Sequence, residues 1–576
     1  MAVRGISCGQ DLNFHLLSWM EVARANHTGL WYPHWVQDAN YGAGEPRLVF
    51  YPPASWMLGA FLGSVASWTL APALFVFVAL AASGWSMYWL AREWLPAGAA
   101  TLAACSYLAS PYTLFVAYER SAFGELLALA WIPLIVLFAT SKSSSLFALS
   151  LAVAAVWLTD APAAVLSSYA LAILASGMMW AERRAWPGFR AAGGMLFGLG
   201  LAAFYLVPAA YEQRWVEIGR AVLPGLRVED NFLFGHTGDT YHDQVLRTAS
   251  WIALLEIATA GIALWLCRRN GASGVSLRLS LALLTSFVFL LQFRFSAGMW
   301  NHLPELRFVQ FPWRWLLVVG VAASLLAGMA LHSRSREALP HPSQQTARQW
   351  MKASMKAAIP VAMVAGIVVT LIVASRTFFQ PCDDEDAVTA QVAAFRSGQG
   401  VEGTDEYTPA GADNSQIQQG LPFVRLVQRP EDDIAEASNV ENPRWQTPAD
   451  ANELISIPVS ILVNRKNAES WTLQFKSNKP GYAVLRLMDY PAWQVRLNGS
   501  VVPNRPSRED GLMTVPIHAG SNVIEVRWRI TQDVIAGRAA SATAAALLIA
   551  FAAFVRNRRN GIMKPSAVIE TRQGIV

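Results

Sequence analysis

A chain of 576 residues that is 54% hydrophobic and only 15% charged falls well short of the roughly 25% charged residues of a soluble globular domain, which excludes a single water-soluble fold. The apolar residues are bunched into runs of about 18 or more, long enough to cross about 30 Å of hydrocarbon as helices. The formal charge of +5 is spread over the ends of those runs and forms no single basic patch, so it reads as a topology signal and excludes a nucleic-acid partner.

In chain order, residues 1–70 precede the first run. Within them, residues 53–68 (with Trp56, Leu58, Phe61 and Leu62) follow Tyr51-Pro52-Pro53 and are too short to span, which predicts an interfacial or re-entrant helix. Spans are then expected near 71–91, 98–116, 123–140, 145–160, 162–181, 192–211, 248–267, 278–295, 312–332, 357–376 and 536–555, about eleven in all. Alternate loops are basic: Arg183, Arg184 and Arg190; Arg268, Arg269 and Arg278; Arg334, Arg336, Arg348, Lys352 and Lys356; and Arg556, Arg558 and Arg559. Such loops stay in the cytoplasm. Residues 1–70, the loop at Glu119, the turn at Asp160, residues 212–247, residues 296–311 and the domain 377–535 then lie on the outer side of the membrane. The outer segment 1–70 shows neither a signal peptide nor a preceding span, which leaves two readings: a further helix ahead of residue 1, twelve in total and the favoured one, or a helix 71–91 that inserts with its N-terminus outside.

The resulting organisation is an outer segment with an interfacial helix (1–70), a transmembrane helical domain (71–376), an outer domain (377–535), a last transmembrane helix (536–555) and a cytoplasmic tail (556–576). The outer domain opens with Asp383, Asp384, Glu385 and Asp386, a run that cannot remain in hydrocarbon. From about residue 454 short alternating runs appear: Leu454 to Val463, Trp471 to Phe475, Gly481 to Met488, Trp493 to Leu497 and Val523 to Trp528. They predict an antiparallel β-sandwich, with Asn498-Gly499 as a hairpin turn.

Candidate chemistry lies in the outer segments. Residues 1–70 hold Asp11, His15, Glu21, His27, His34, Asp38 and Glu45 among aromatics, and Asp11 and His15 are spaced i, i+4 for one helix face. Carboxylates there can act as general bases or bind a divalent ion, against the plainer reading of solvated loop charges. Tyr118 to Glu125 sets Glu119, Arg120 and Glu125 at the outer mouth of a helix pair, where they either face a cavity or close the loop by local pairing. Arg307 and Arg314, set among aromatics in Leu306 to Trp315, run against the positive-inside trend and suit a lipid phosphate; the plainer reading is interfacial anchoring with snorkelling arginines. The loop His236 to Asp243 has ligand-type residues without metal-site spacing and reads as a polar loop. Gly42-Ala43-Gly44 lacks the context of a phosphate loop. Of the four cysteines, Cys8 and Cys382 lie on the outer side, where a bridge is open to them but not expected.

Several of these segments together resemble the bacterial membrane proteins labelled as related to 6-pyruvoyl-tetrahydropterin synthase, which look like type C glycosyltransferases. The matching pieces are Asp11-Leu12-Asn13-Phe14-His15, Tyr41 to Pro46 with Phe50-Tyr51-Pro52-Pro53, Tyr118 to Glu125, Leu306 to Trp315 and Glu402 to Pro409, in that order along nearly the whole chain. The resemblance implies a type C glycosyltransferase-like architecture, a polyprenyl-phosphate-linked sugar as donor, and an acidic residue of the first outer loop, here Asp11, as catalytic base or metal ligand. His15, Glu119, Arg120, Arg307 and Arg314 are the candidate substrate-binding residues, the last two for the lipid phosphate on charge grounds. The cofactor is unassigned, with a divalent cation as candidate and no metal ligand set nominated.

The expectation is therefore a polytopic α-helical membrane protein of about eleven spans with a sandwich-like β domain before the last span. Its function would be to transfer a sugar from the donor to an outer glycan or lipid acceptor, with the sandwich helping to bind that acceptor. The alternative is a non-catalytic envelope protein that binds or moves a glycan or lipid. An ion-coupled transporter is a third and weaker reading, since no internal repeat and no carboxylate deep inside a span is expected.

Overall fold

The computed structural model describes residues 5–141, 145–267, 274–336, 347–432, 434, 444 and 462–562. Seven helices in it are long and apolar enough to cross a membrane: Ala71–Arg92, Phe123–Thr140, Ala161–Glu182, Thr240–Cys267, Pro312–His332, Pro360–Thr377 and Gln532–Val555. Three further runs are broken. Ala97–Leu108 bends by 42° into Pro111–Arg120, Trp186–Leu201 by 74° into Ala203–Trp215, and Val275–Leu291 by 98° into Arg294–His302. The chain is thus a multi-pass helical membrane protein that shows, among the described residues, seven candidate spans, or up to ten if each bent pair counts once; the expected eleven is not confirmed. Hydropathy counts apolar residues without registering the axis, so a run can stay hydrophobic while the helix turns. The expected span 145–160 is the 12-residue helix Leu146–Trp157.

The break before Pro111 has visible chemistry. Ser110 caps the second half-helix by accepting the Thr113 N–H through its hydroxyl, and Pro111 takes the first helical position, where its missing donor is not needed. Glu256, in the middle of Thr240–Cys267, then accepts the Ser110 hydroxyl and, at 3.0 Å, the Tyr112 N–H. The expectation that no carboxylate lies inside a span is overturned. A buried carboxylate is tolerated here because it satisfies donors that the broken helix would otherwise leave open.

Residues 5–70 are largely helical, with Leu12–His27 packed on Pro53–Val65. Trp19 on the first of these stacks on Phe75 and Phe123 at 5.0 and 5.1 Å. Most of the acidic residues singled out in this segment are internal partners: Glu21 and Asp38 share Arg24, Glu45 holds Arg47 at 2.6 Å, and His34 meets Glu469 at 3.0 Å. Arg47 also donates to the Thr404 hydroxyl at 2.9 Å while Glu45 accepts the Thr404 N–H at 2.8 Å, stitching the outer domain to the first segment.

The domain 377–535 carries eight strands among its described residues: β1 Val424–Val427, β2 Leu462–Asn467, β3 Ser470–Ser477, β4 Gly481–Met488, β5 Trp493–Leu497, β6 Ser500–Val501, β7 Leu512–Ile517 and β8 Gly520–Trp528. They form two antiparallel sheets, β1-β4-β7 and β2-β3-β8-β5-β6. Alternate residues such as Leu473, Val495, Val515 and Ile524 fill one shared core, as a two-layer β region requires. Asn498 and Gly499 both take positive φ, 50° and 85°, in the β5–β6 hairpin. The expected strand from Leu454 lies outside the described residues up to 461, and so do Arg268 and Arg269. The sheets also begin earlier than expected, with β1 at Val424.

Cys8 and Cys382 form a disulfide, contrary to expectation. The bond joins the first described segment to the chain just beyond Pro360–Thr377. Neighbouring backbone bonds run the same way, with the Cys8 N–H donating to Gln380 O at 3.0 Å and the Asp11 N–H to Arg120 O at 2.8 Å. Gly9 sits so close to this loop that a Cβ would lie 2.6 Å from Glu119 O. Spacing in sequence could not show a pairing across 374 residues. Maleimide should therefore leave Cys8 and Cys382 unlabelled in the native protein until a reductant is added, as read by peptide mass spectrometry. Cys8→Ser should cost about 2–4 kcal/mol in thermal or denaturant unfolding; early labelling of both cysteines would refute the bridge.

Candidate functional site

Arg120 ends a five-residue π-helical turn, Val116–Arg120, and Ser121 follows in a left-handed conformation (φ 50°). Turns of this kind recur at functional sites. The geometry throws the Arg120 side chain inward, where Nη1 pairs with Glu125 and Nη2 lies 3.4 Å from Asp11 Oδ2. Arg314, in the short turn Pro312–Trp315 that opens the next span, places Nε 3.4 Å from Glu125 Oε2 and donates from Nη1 to Val309 O (2.8 Å) and Gln310 Oε1 (3.1 Å). Tyr112 adds a hydroxyl hydrogen bond to Glu125 at 2.5 Å. Two arginines and two carboxylates thus form one compensated group, in which Arg120 and Glu125 side chains are 4% and 3% exposed and Asp11 is 40% exposed. The burial of such charges is tolerable only when they pair.

This group lies where two cavities meet. The larger, about 800 Å³, is lined by apolar residues of the membrane helices such as Trp157, Val165 and Leu206, and by polar residues including Asp160 and Glu406. The smaller, about 440 Å³, lies against the start of Thr240–Cys267 and includes Asp239, Tyr241 and His242. Asp11, Arg120, Gln310 and Arg314 line both. Gln310 is held at φ 66°, ψ −52°, and Glu305 at φ 58°, conformations that cost of order 1–3 kcal/mol for a residue with a side chain and cluster at functional sites.

Of the sequence candidates, Asp11, Arg120 and Arg314 come together. His15 lines the larger cavity but is 2% exposed and accepts the Phe123 N–H at Nε2 (3.1 Å). Burial, with Arg47 and Arg120 adding to it, pushes its pKa down to about 3, so it stays neutral and orients the loop. Glu119 turns away and accepts the Gln380 side-chain amide at 2.6 Å. Arg307 is exposed and stacks on Phe308 at 4.6 Å, and neither Glu119 nor Arg307 lines the two cavities. Although the Asp11 side chain still reaches solvent, partial desolvation at the cavity rim raises its pKa, while Arg120 and Arg314 pull it down; a carboxylate held above its ordinary value is a better proton acceptor.

The sequence reading missed the roles of Asp160, Tyr51, Gln310 and Glu406. Asp160 stood in view as a helix-capping residue before Ala161-Pro162. The rest depended on contacts between distant segments. Asp160 is pushed up to about 6 by burial, with Glu125 adding to it. Thr404, Glu406 and Tyr407 of the outer domain line the larger cavity, so that domain is part of the site wall and not only an accessory.

A divalent cation fits this donor set poorly. No three His, Cys, Asp or Glu converge among the described residues, and Asp11 and Glu125 face arginines, so no step is routed through a metal. In the loop His236 to Asp243, Asp243 accepts the Thr237 N–H at 2.7 Å and Asp239 the His242 N–H at 2.8 Å.

Glu125→Gln should destabilise the protein by about 3–5 kcal/mol, because it leaves two arginines short of a buried counter-charge; a change below about 1 kcal/mol in denaturant unfolding would refute the arrangement. His15 gives a signed pH dependence. Its folded pKa lies below the unfolded value near 6.5, so the unfolded chain binds the proton better and stability falls as pH drops below 6.5. At pH 5 this loss is about 2 kcal/mol. His15→Gln should remove that part of the acid limb between pH 6.5 and 4 in thermal melts.

No protein-family model matches the chain, and no curated protein matches it. Among solved structures, two cryo-EM structures of the arabinofuranosyltransferase AftD from mycobacteria, one of them a mutant, are similar to it at 14% identity, with TM-scores of 0.41 and 0.40. Each covers 92% of this chain and 56% or 58% of the AftD chain, so this chain spans little more than half the length of that protein.

Proposed function

We propose that the chain is a membrane glycosyltransferase that moves a sugar from a polyprenyl-phosphate donor to an outer glycan or lipid acceptor. The observation that carries this reading is the meeting of two cavities at Asp11, Arg120 and Arg314. One volume can hold each reactant, and the group between them has the charges the reaction needs. The likeness of Asp11 to His15 and of Tyr118 to Glu125 to type C glycosyltransferases supports the same assignment.

In the proposed reaction the acceptor hydroxyl gives its proton to the Asp11 carboxylate and its oxygen bonds to the anomeric carbon. The bond from that carbon to the phosphate oxygen breaks, and its electron pair leaves on the polyprenyl phosphate. Arg120 and Arg314 sit where that growing charge would be met. Trp157, Val165 and Leu206 offer the lipid chain an apolar wall.

The outer side is the proposed place of the reaction. Cys8 and Cys382 are bonded three residues from Asp11 in sequence at one end and beside Gln380 at the other, and such bonds persist in oxidising compartments. Arg190 lies at the opposite end of Phe123–Thr140, donating to Phe138 O and Ser141 O, as positive-inside loops do.

Full-length protein in lipid nanodiscs should consume radiolabelled polyprenyl-phosphoryl sugars. Asp11→Asn should lower turnover by about 100-fold or more, and Arg314→Gln should weaken donor binding. Saturable binding without turnover by the wild type would replace the enzyme with a glycan- or lipid-binding protein. Undiminished turnover by Asp11→Asn would remove the assigned base.

A further inference from the structure

Asp160 sits in the turn ahead of Ala161–Glu182 and uses one carboxylate oxygen as a helix cap, with Oδ1 accepting the Ala163 N–H at 2.8 Å. The residue is 7% exposed and lines the larger cavity, and its Oδ2 has no protein hydrogen-bond partner among the described residues. The Tyr51 hydroxyl, also on the cavity wall, is in the same position. The two groups converge on Gly124, where a Cβ would lie 2.9 Å from the Tyr51 hydroxyl and 3.2 Å from Asp160 Oδ2. Gly124, lacking a Cβ, therefore lets both oxygens pack against the same piece of backbone, side by side on the cavity wall.

We infer that Asp160 and Tyr51 form a hydroxyl-binding subsite for the sugar ring of the lipid-linked donor, an inference that rests on the glycosyltransferase reading above. The argument is one of charge sorting inside a single cavity. Arg120 and Arg314 can take an anion, whereas a second anion at Asp160 would meet its carboxylate, with that of Glu125 near enough to add to the repulsion. A metal ion would need further ligands that do not converge there. What remains is a neutral group rich in O–H donors, for which a carboxylate oxygen accepts and a phenol both accepts and donates. A sugar bonded to a phosphate held by the arginines is such a group, and it would be fixed on the cavity wall beside the reacting carbon.

The test uses full-length protein in nanodiscs and two kinds of probe: farnesyl phosphate, and farnesyl-phosphoryl glucose, mannose and arabinofuranose, with affinity read from tryptophan fluorescence. Wild-type protein should bind at least one glycosylated probe about tenfold more tightly than the bare phosphate, the scale of one or two hydrogen bonds to a buried partner. Asp160→Asn and Tyr51→Phe should each bring that ratio to within about twofold, while leaving farnesyl phosphate affinity unchanged, which also reports on folding. A ratio preserved in both variants, or a wild type that gains nothing from any sugar, overturns the subsite while leaving the phosphate site standing. Failure of every probe to bind, the bare phosphate included, overturns the donor reading and this inference with it.

Discussion

Two arginines and two carboxylates gathered at one end of the membrane helices, all but Asp11 buried, are the constraint around which the rest is arranged. Taking ions of this kind out of water costs several kcal/mol each unless they face each other, so the segments that carry them must be brought to one place and kept there. Arg120 comes from a π-helical turn, Glu125 from the start of the next helix, Arg314 from the opening turn of another, and Asp11 from the N-cap of Leu12–His27. Three segments of chain meet, around Asp11, Arg120 to Glu125, and Arg314. The left-handed residues Ser121 and Gln310 bend the backbone toward the group. The Cys8–Cys382 bond and the backbone pairing beside it hold the first segment against the Glu119 loop. The bend between Ala97–Leu108 and Pro111–Arg120 belongs to the same account, since Arg120 ends the second of these helices.

The outer domain is tied into this arrangement and does not hang from its two flanking helices alone. Thr404 is gripped by Glu45 and Arg47, Tyr407 stacks on Phe50 at 5.7 Å, and Tyr490 donates to Glu212 at 2.6 Å. The aromatic cluster of Trp35, Trp493 and Trp528 packs the first segment against the sheets, with centroids 5.0 to 5.8 Å from Trp35. Aromatic pairs at such distances contribute beyond their buried area. The cavity roof is therefore as well supported as its floor.

Much of this was legible in the sequence where local pattern decides. The strands from Trp471 onward and the Asn498-Gly499 turn followed from alternation and turn chemistry, and the helix at Pro53–Val65 from its flanking prolines and apolar face. Asp11, Arg120 and Arg314 were visible because charges next to hydrophobic runs are expensive and stand out. What was not legible depended on contacts made far along the chain. Nothing near Glu119 or Arg307 says that the first turns toward Gln380 and the second toward solvent. The Cys8–Cys382 pairing, the role of Thr404 to Tyr407 in the wall and the bends within three hydrophobic runs are tertiary facts. Glu256 was a different failure: it lay in plain view inside a predicted span, and its burial made sense only once Ser110 and the broken helix were placed beside it.

The division of the site into an apolar flank and a charged head bears on how a substrate would reach it. The larger cavity lies against Val165 at the start of Ala161–Glu182 and Leu206 of Ala203–Glu212, so its membrane flank is hydrocarbon-like while its head carries the arginines and Asp160. A molecule with one apolar end and one anionic end can enter along such a flank without stripping its charge of partners first, because the arginines meet the charge before it is fully desolvated. A glycan has no such route through lipid; under the proposed function it would come by the smaller cavity, whose wall mixes Asp239, Tyr241 and His242 with Leu226, Val245 and Phe311. The two reactants would then reach Asp11 from different phases, a polarity of access that follows from which residues line each wall.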